Sequence, residues 1–171
     1  QGRVEIAPTG AEARSRMIEE WLDARRTGSA VMLASRRVHV DALNRSARTA
    51  LQRERAIGPD QAIVGGHGYS EGDLVVALRN DRQLGLLNGT RAIIERIDTD
   101  LRVMRCRTDD DQAVNIPFDY AAGGDLAHGY AMTIHKSQGA TYDRCLILVG
   151  DQLAKESAYT AMSRGRLDNT L

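Results

Sequence analysis

Residues 129–145 read GYAMTIHKSQGATYDRC, and residues 157–166 read SAYTAMSRGR. The first carries a His-Lys-x-Gln-Gly run; the second carries two arginines near its end. Gly139 permits close backbone approach, and His135 or Lys136 can meet a nucleic-acid phosphate. Taken alone, the first stretch also reads as a solvated polar connection between two strands. In the second, Tyr159 and Met162 share a helix face, with Arg164 and Arg166 projecting near the helix end. An arginine so placed can stabilise charge on a transferring phosphoryl group. It is equally an ordinary basic helix C-terminus favoured by the macrodipole. No G-x-x-x-x-G-K-[ST] loop accompanies either stretch, so the pattern is that of half a nucleotide site.

Working outward, the sequence predicts an α/β texture. GRVEI at the start is a short strand candidate. The following segment to Thr27 reads as a helix, capped by Thr9 with Glu12, lined by Met17, Ile18, Trp21 and Leu22, and stopped at Gly28. AVMLAS (30–35) suits a buried strand, and the stretch after it a helix with Leu43, Ala47, Ala50 and Leu51 inward, ending at Gly58-Pro59. Arg36 and Arg37 leave that strand at its C-terminal edge, where ligands of open α/β sheets bind. From about residue 62 the texture changes to short alternating runs, LVVAL, RAIIERI, LRVMRCR and AVNIPF, separated by turn residues. These suggest a small antiparallel barrel. RCLILVG (144–150) then reads as a buried strand and AKESAYTAMSRGR as a helix. The domains expected are a discontinuous α/β domain, 1–60 with 125–171, and an all-β insertion, 61–124.

Composition narrows the function. Of the 171 residues 42% are apolar, enough for a packed core, but only 4% are aromatic, too few for a base-stacking platform. The 23 basic and 23 acidic side chains balance, so any contact with nucleic acid must come from local patches. Cys106 and Cys145 lie far apart without a C-x-x-C, against both a disulfide framework and a zinc site; a reducing cytoplasm is the expected compartment. A metal hydrolase using His39, His67, His128 and His135 finds no ligand spacing to support it, so no metal residues are expected. No apolar run approaches membrane-spanning length, so no membrane insertion is expected. The opening QGRVEI and the closing RLDNTL read as the ends of an excised fragment.

With these residues in hand, GYAMTIHKSQGATYD resembles motif V of superfamily-1 helicases, YTAMSRGR their motif VI, and VMLASRRVHVDALN their motif IV. GDLVVALRND and LLNGTRAII resemble the opening of the SH3-like insertion in RecD-type helicases. The order matches the RecD/TraA branch, and within it the helicase part of TraA/MobF conjugative relaxases. The resemblance implies a second RecA-like domain, without a P-loop, interrupted by an SH3-like β-barrel. ATP and Mg²⁺ would be bound mainly by an N-terminal RecA-like domain of the same chain. Arg164 would be the arginine finger. Arg36 and Arg37 would lie at the nucleotide, one of them as the motif IV arginine facing ATP, and the sequence does not choose between them. Gln138, Gly139 and Arg166 would lie at the nucleotide, and Thr133, His135 and Lys136 on the single-stranded DNA track. The implied activity is ATP-dependent 5′ to 3′ unwinding by the whole protein and none by the fragment alone. Further implied partners are the relaxase domain and the conjugation machinery. The hairpin RNDRQLGLLNG is a candidate contact with the separated strand or the duplex junction, or a structural turn. A non-catalytic, helicase-like scaffold for DNA or protein is the alternative. With the chain ending just after motif VI, a closing strand is expected to be missing.

Overall fold

The computed structural model describes residues 7–137, 142–148 and 165–170. The chain divides into two compact units, Gln1–Ala47 with Tyr130–Leu171, and Arg48–Gly129.

In the first unit, helix α1 (Gly10–Thr27) begins at Thr9, whose hydroxyl accepts a hydrogen bond from the Glu12 amide at 3.2 Å. The predicted cap is therefore in place. Met17, Ile18, Trp21 and Ala24 form the buried face, and Leu22 is only half-buried. The helix stops before Gly28, but not by the left-handed turn that glycine usually provides. Gly28 is extended, and a Cβ there would meet Asp143 Oδ2 at 2.7 Å. That carboxylate accepts hydrogen bonds from the Ser29 amide and hydroxyl, each at 2.8 Å, so the glycine is required by close approach.

Strand β1 (Ala30–Ala34) is central to a parallel sheet. It pairs with β9 (Ala131–Thr133) on one side and β10 (Tyr142–Leu148) on the other. Strand β11 (Gly165–Thr170) pairs parallel with β10, giving the order β11-β10-β1-β9. Val31 to Ala34 are fully buried, as a strand covered on both faces demands. Two expectations are corrected here. The closing strand is not missing, because β11 supplies it. Gly165 and Arg166 stand at the start of that strand, not at a helix end; a ladder partner on β10 outweighs helical propensity at this point. The strand expected at GRVEI and the rest of the helix expected at AKESAYTAMSRGR lie outside the described residues.

Helix α2 (Arg37–Arg53) starts earlier than its apolar pattern suggested and ends earlier too. Its stop is a Schellman turn: Arg55 adopts φ 58°, and the Ala56 amide donates to the Leu51 carbonyl at 2.9 Å. Gly58-Pro59 follows in the connection rather than ending the helix.

The second unit contains a hairpin, β2 (Ala62–Val64) with β3 (His67–Tyr69), and an antiparallel sheet. Its strands are β4 (Leu74–Ala77), β5 (Arg91–Asp98), β6 (Val103–Thr108), β7 (Ala113–Pro117) and β8 (Leu126–His128), in the order β7-β6-β5-β4-β8. The expected barrel does not close: β7 and β8 remain edges. The short helix α3 (Phe118–Ala122) joins them and contacts both, and its Phe118, Tyr120 and Ala121 fill the core at the seam.

Arg48 ties this unit together. Its Nε donates to both Asp73 oxygens at 3.1 and 3.0 Å, its Nη1 to Asp60 at 2.6 Å, and its Nη2 to Ser70 Oγ at 2.7 Å. The Ser70 amide returns a bond to Asp73 at 2.7 Å, and the Ser70 hydroxyl donates to the Pro59 carbonyl at 2.8 Å. The Arg48 hydrogen bond holds the Asp60 carboxyl below the usual carboxylate range. Asp73 is fully buried, so removing the guanidinium would strand a charge. Arg48→Met is therefore expected to cost about 3–5 kcal/mol, read from urea unfolding.

His128, beside Asp73, supplies a pH dependence. Burial pushes its imidazole below the ordinary histidine value; Asp73 opposes this, and Arg48 and His67 add to the lowering. The folded state then binds fewer protons than the unfolded state, so this stability is present above the ordinary histidine pKa. It is lost as pH falls through the folded value. The urea midpoint is expected to drop between about pH 7 and about pH 5, and to drop less in His128→Gln. Parallel profiles for the two proteins would refute the attribution.

Candidate functional site

In a parallel sheet every strand ends at the same edge. Ala34 is in register with Thr133 on one side and Leu148 on the other, so the segments following β1 and β9 emerge side by side. After β1 come Ser35, Arg36, Arg37 and Val38, all exposed. The Arg36 carbonyl accepts from the His39 and Val40 amides at 3.0 and 3.2 Å, fixing the first turn of α2. No acidic residue stands in that turn, and Arg37 opens it against the helix dipole. Neither Arg36 nor Arg37 has an ion-pair partner among the described residues.

After β9 the chain forms a 3₁₀ turn, Ile134–Ser137. Ile134 and Ser137 are buried while His135 and Lys136 are exposed, so the turn is anchored on one side and presents two donors on the other. The Ser137 hydroxyl donates to the Ile134 carbonyl at 2.7 Å, and the Lys136 amide donates to Thr133 Oγ1 at 3.4 Å. The Lys136 ammonium is held below the ordinary lysine value by partial desolvation and then by the charge of Arg37. Arg37 thus adds like charge near Lys136 at the strand ends.

Of the residues singled out in the sequence, the structure brings together Arg36, Arg37, Thr133, His135 and Lys136. Gln138, Gly139 and Arg164 lie outside the described residues, and Arg166 is described only as part of β11. β10 spans seven residues, roughly 20 Å at strand rise, and Gly165 aligns with Tyr142 at its start. Arg166 therefore enters at the opposite end of the sheet from Arg36 and Arg37.

Asn44 was not singled out. It sits on the inward face of α2 beside Leu43 and Ala47, only 6% exposed. Its side-chain amide donates to the Ala131 carbonyl at 3.2 Å, and its Oδ1 accepts from the Ala131 amide at 2.8 Å. β9 is an edge strand, and Asn44 supplies the bonds that a neighbouring strand would have made. The signal was present: a polar amide inside an apolar helical stripe.

The four histidines form no centre. His67 and His128 pack with ring centroids 6.4 Å apart, and among the described residues no group of three or more His, Cys, Asp or Glu is placed to hold a metal ion. Cys106 and Cys145 are both buried; burial pushes the Cys106 thiol up to about 12. Among the described residues no helix is long and apolar enough to cross a membrane.

No protein-family model matches the chain. The fold is similar to the Pif1 helicase of Bacteroides, whose structure contains ADP-AlF3 and single-stranded DNA. That likeness has a TM-score of 0.65 at 18% identity, covering 96% of this chain and 45% of the other. The fold is thus that of a RecA-like helicase domain. In sequence, the chain is 34% identical over 163 residues to the conjugal transfer protein TraA of Agrobacterium fabrum, a match covering 92% of this chain. It is 33% identical over 93 residues, 51% of this chain, to the RecD subunit of RecBCD from Mycobacterium tuberculosis. The matches span 15% of the length of each of these two relatives. The chain belongs to the TraA/RecD type of superfamily-1 helicases.

Replacing Asn44 with Ala leaves a buried amide and carbonyl of β9 without their bonds. The expected loss is about 1–3 kcal/mol, read by chemical denaturation, with faster hydrogen exchange at Ala131.

Proposed function

We propose that this chain is the second motor domain of an ATP-dependent DNA helicase that moves 5′ to 3′ within a TraA-like conjugative relaxase. Residues 1–60 with 125–171 would form the RecA-like domain, and residues 61–124 the counterpart of the SH3-like insertion, as an open sheet. The observation that carries the reading is the cationic edge: Arg36, Arg37, His135 and Lys136 stand exposed beside Thr133 at the ends of two adjacent parallel strands. Exposed guanidinium, imidazole and ammonium groups at strand ends suit a strand's phosphates, giving weakly sequence-specific, salt-sensitive binding. The motif resemblance puts Arg36 and Arg37 at the nucleotide. Their place beside Thr133, His135 and Lys136 favours the nucleic-acid strand instead.

The nucleotide assignments rest on the motif resemblance. Arg164 would act as the arginine finger, with Gln138, Gly139 and Arg166 near the phosphates. ATP and Mg²⁺ would be held mainly by the preceding RecA-like domain, and the relaxase domain and conjugation machinery would be the further partners. The loop between β4 and β5 would touch the duplex junction. It is ordered by mutual Asp81–Leu86 backbone bonds, each 2.8 Å, with Leu87 64% exposed.

Two measurements on the full-length protein test this. Arg164→Ala is expected to lower ATP turnover by roughly 10³-fold or more with nucleotide binding largely kept. Turnover at the wild-type rate would remove the finger. His135→Ala and Arg37→Ala are expected to weaken single-strand binding and strand-stimulated ATPase. A protein with neither stimulation nor turnover would instead be a scaffold.

A further inference from the structure

β5 carries a bulge. Ile94 pairs with Cys106 and the next register pair is Arg96 with Arg105, so Glu95 is the extra residue. In a regular strand Ile94 and Ile97 would face opposite sides. The bulge turns both toward the core, where Ile94 is 1% exposed and Ile97 packs against the cluster. It also turns Arg96 outward. Arg96 then stands directly across from Arg105, and Arg105 across from Asn115 of β7, all three exposed.

Like charges directly opposite in a ladder destabilise it. Nearby carboxylates do not relieve this pair. Glu95 is held by Arg107 at 2.7 Å, and Asp98 accepts from the Leu101 amide at 2.9 Å. The other two arginines of these strands each have a carboxylate: Arg91 has Asp109 at 3.8 Å, and Arg107 has Glu95 and Asp111. Arg96 and Arg105 have no ion-pair partner among the described residues. An uncompensated pair, aimed outward by a bulge, is suited to an anion from outside.

We propose that Arg96, Arg105 and Asn115 form a phosphodiester-binding row for single-stranded nucleic acid on the outer face of the β5–β7 sheet. This rests on the strand-binding function above. Each guanidinium presents a planar fork to phosphate oxygens, and the Asn115 amide donates beside them. Bound phosphate removes the repulsion that the ladder otherwise carries. The row reads backbone, not sequence.

The test uses the full-length protein and a labelled oligothymidylate. Arg96→Gln and Arg105→Gln are each expected to reduce the slope of log K against log salt by about 0.7, and affinity near 0.1 M salt by about five-fold. Arg105→Glu replaces the repulsive pair with an attractive one. It should weaken binding further while slowing hydrogen exchange of the β5–β6 amides by about two- to five-fold. If both Gln variants bind like wild type while His135→Ala binds weakly, the row is wrong and the strand-binding function stands. If wild type does not bind the oligonucleotide, both fall. Weaker binding with faster exchange would mean a damaged sheet and would also overturn the row.

Discussion

Parallel pairing of β1 with β9 and β10 constrains everything that follows from it. Backbone hydrogen bonds between parallel strands leave no choice of direction, so residues following Ala34 and Thr133 must emerge at one edge. The sequence separates these segments by almost a hundred residues, the whole of the second unit. The ladder makes them neighbours. Asn44 completes the arrangement by bonding the exposed side of β9, so that a three-residue edge strand can carry the turn bearing His135 and Lys136. Without those bonds a strand this short has little to hold its register.

Much of this was legible in the sequence where one local rule acts alone. The Thr9 cap and the apolar run of β1 required only propensity and patterning, and both are as read. The alternating runs of β5, β6 and β7 were equally clear. What escaped depended on distant partners. Sheet closure was misjudged because nothing in the runs reveals that α3 fills the seam between β7 and β8. The stop of α2 was placed at Gly58-Pro59 because glycine is the usual left-handed residue, yet Arg55 takes that conformation within a Schellman turn. β11 has little signal of its own, since GRLDNT carries a single apolar residue and its strand is defined by pairing with β10. Of the candidate site, the residue types were readable but their grouping was not. Only the register of Ala34 with Thr133 places the segment bearing Arg36 and Arg37 beside the one bearing His135 and Lys136.

Balanced net charge conceals three different uses of arginine. Arg48 is buried, and all three nitrogens of its fixed fork donate, to two carboxylates and a hydroxyl; it organises the fold of its unit. Arg107 is paired at the surface with Glu95 and Asp111, an arrangement of small energetic value in water. Arg36, Arg37, Arg96 and Arg105 have no such partner among the described residues; Arg37 acts instead on Lys136, and Arg96 stands opposite Arg105. Composition averages over these states and reports zero. The informative quantity is where the acids are not.

Unrelieved repulsion has the same thermodynamic consequence in each unit taken by itself. Each pair of like charges weakens its own fold slightly, Arg37 against Lys136 at a helix start and Arg96 against Arg105 across a ladder. A polyanion that binds the folded form returns that energy as affinity, because it binds the native state and not the unfolded chain. The same argument separates these sites from Arg48, where the anion is already supplied internally by Asp73 and Asp60. A bulge that sends Arg96 outward rather than Ile97 makes sense on this basis: it protects the core while leaving the cation exposed, which an ordinary strand of the same sequence could not do.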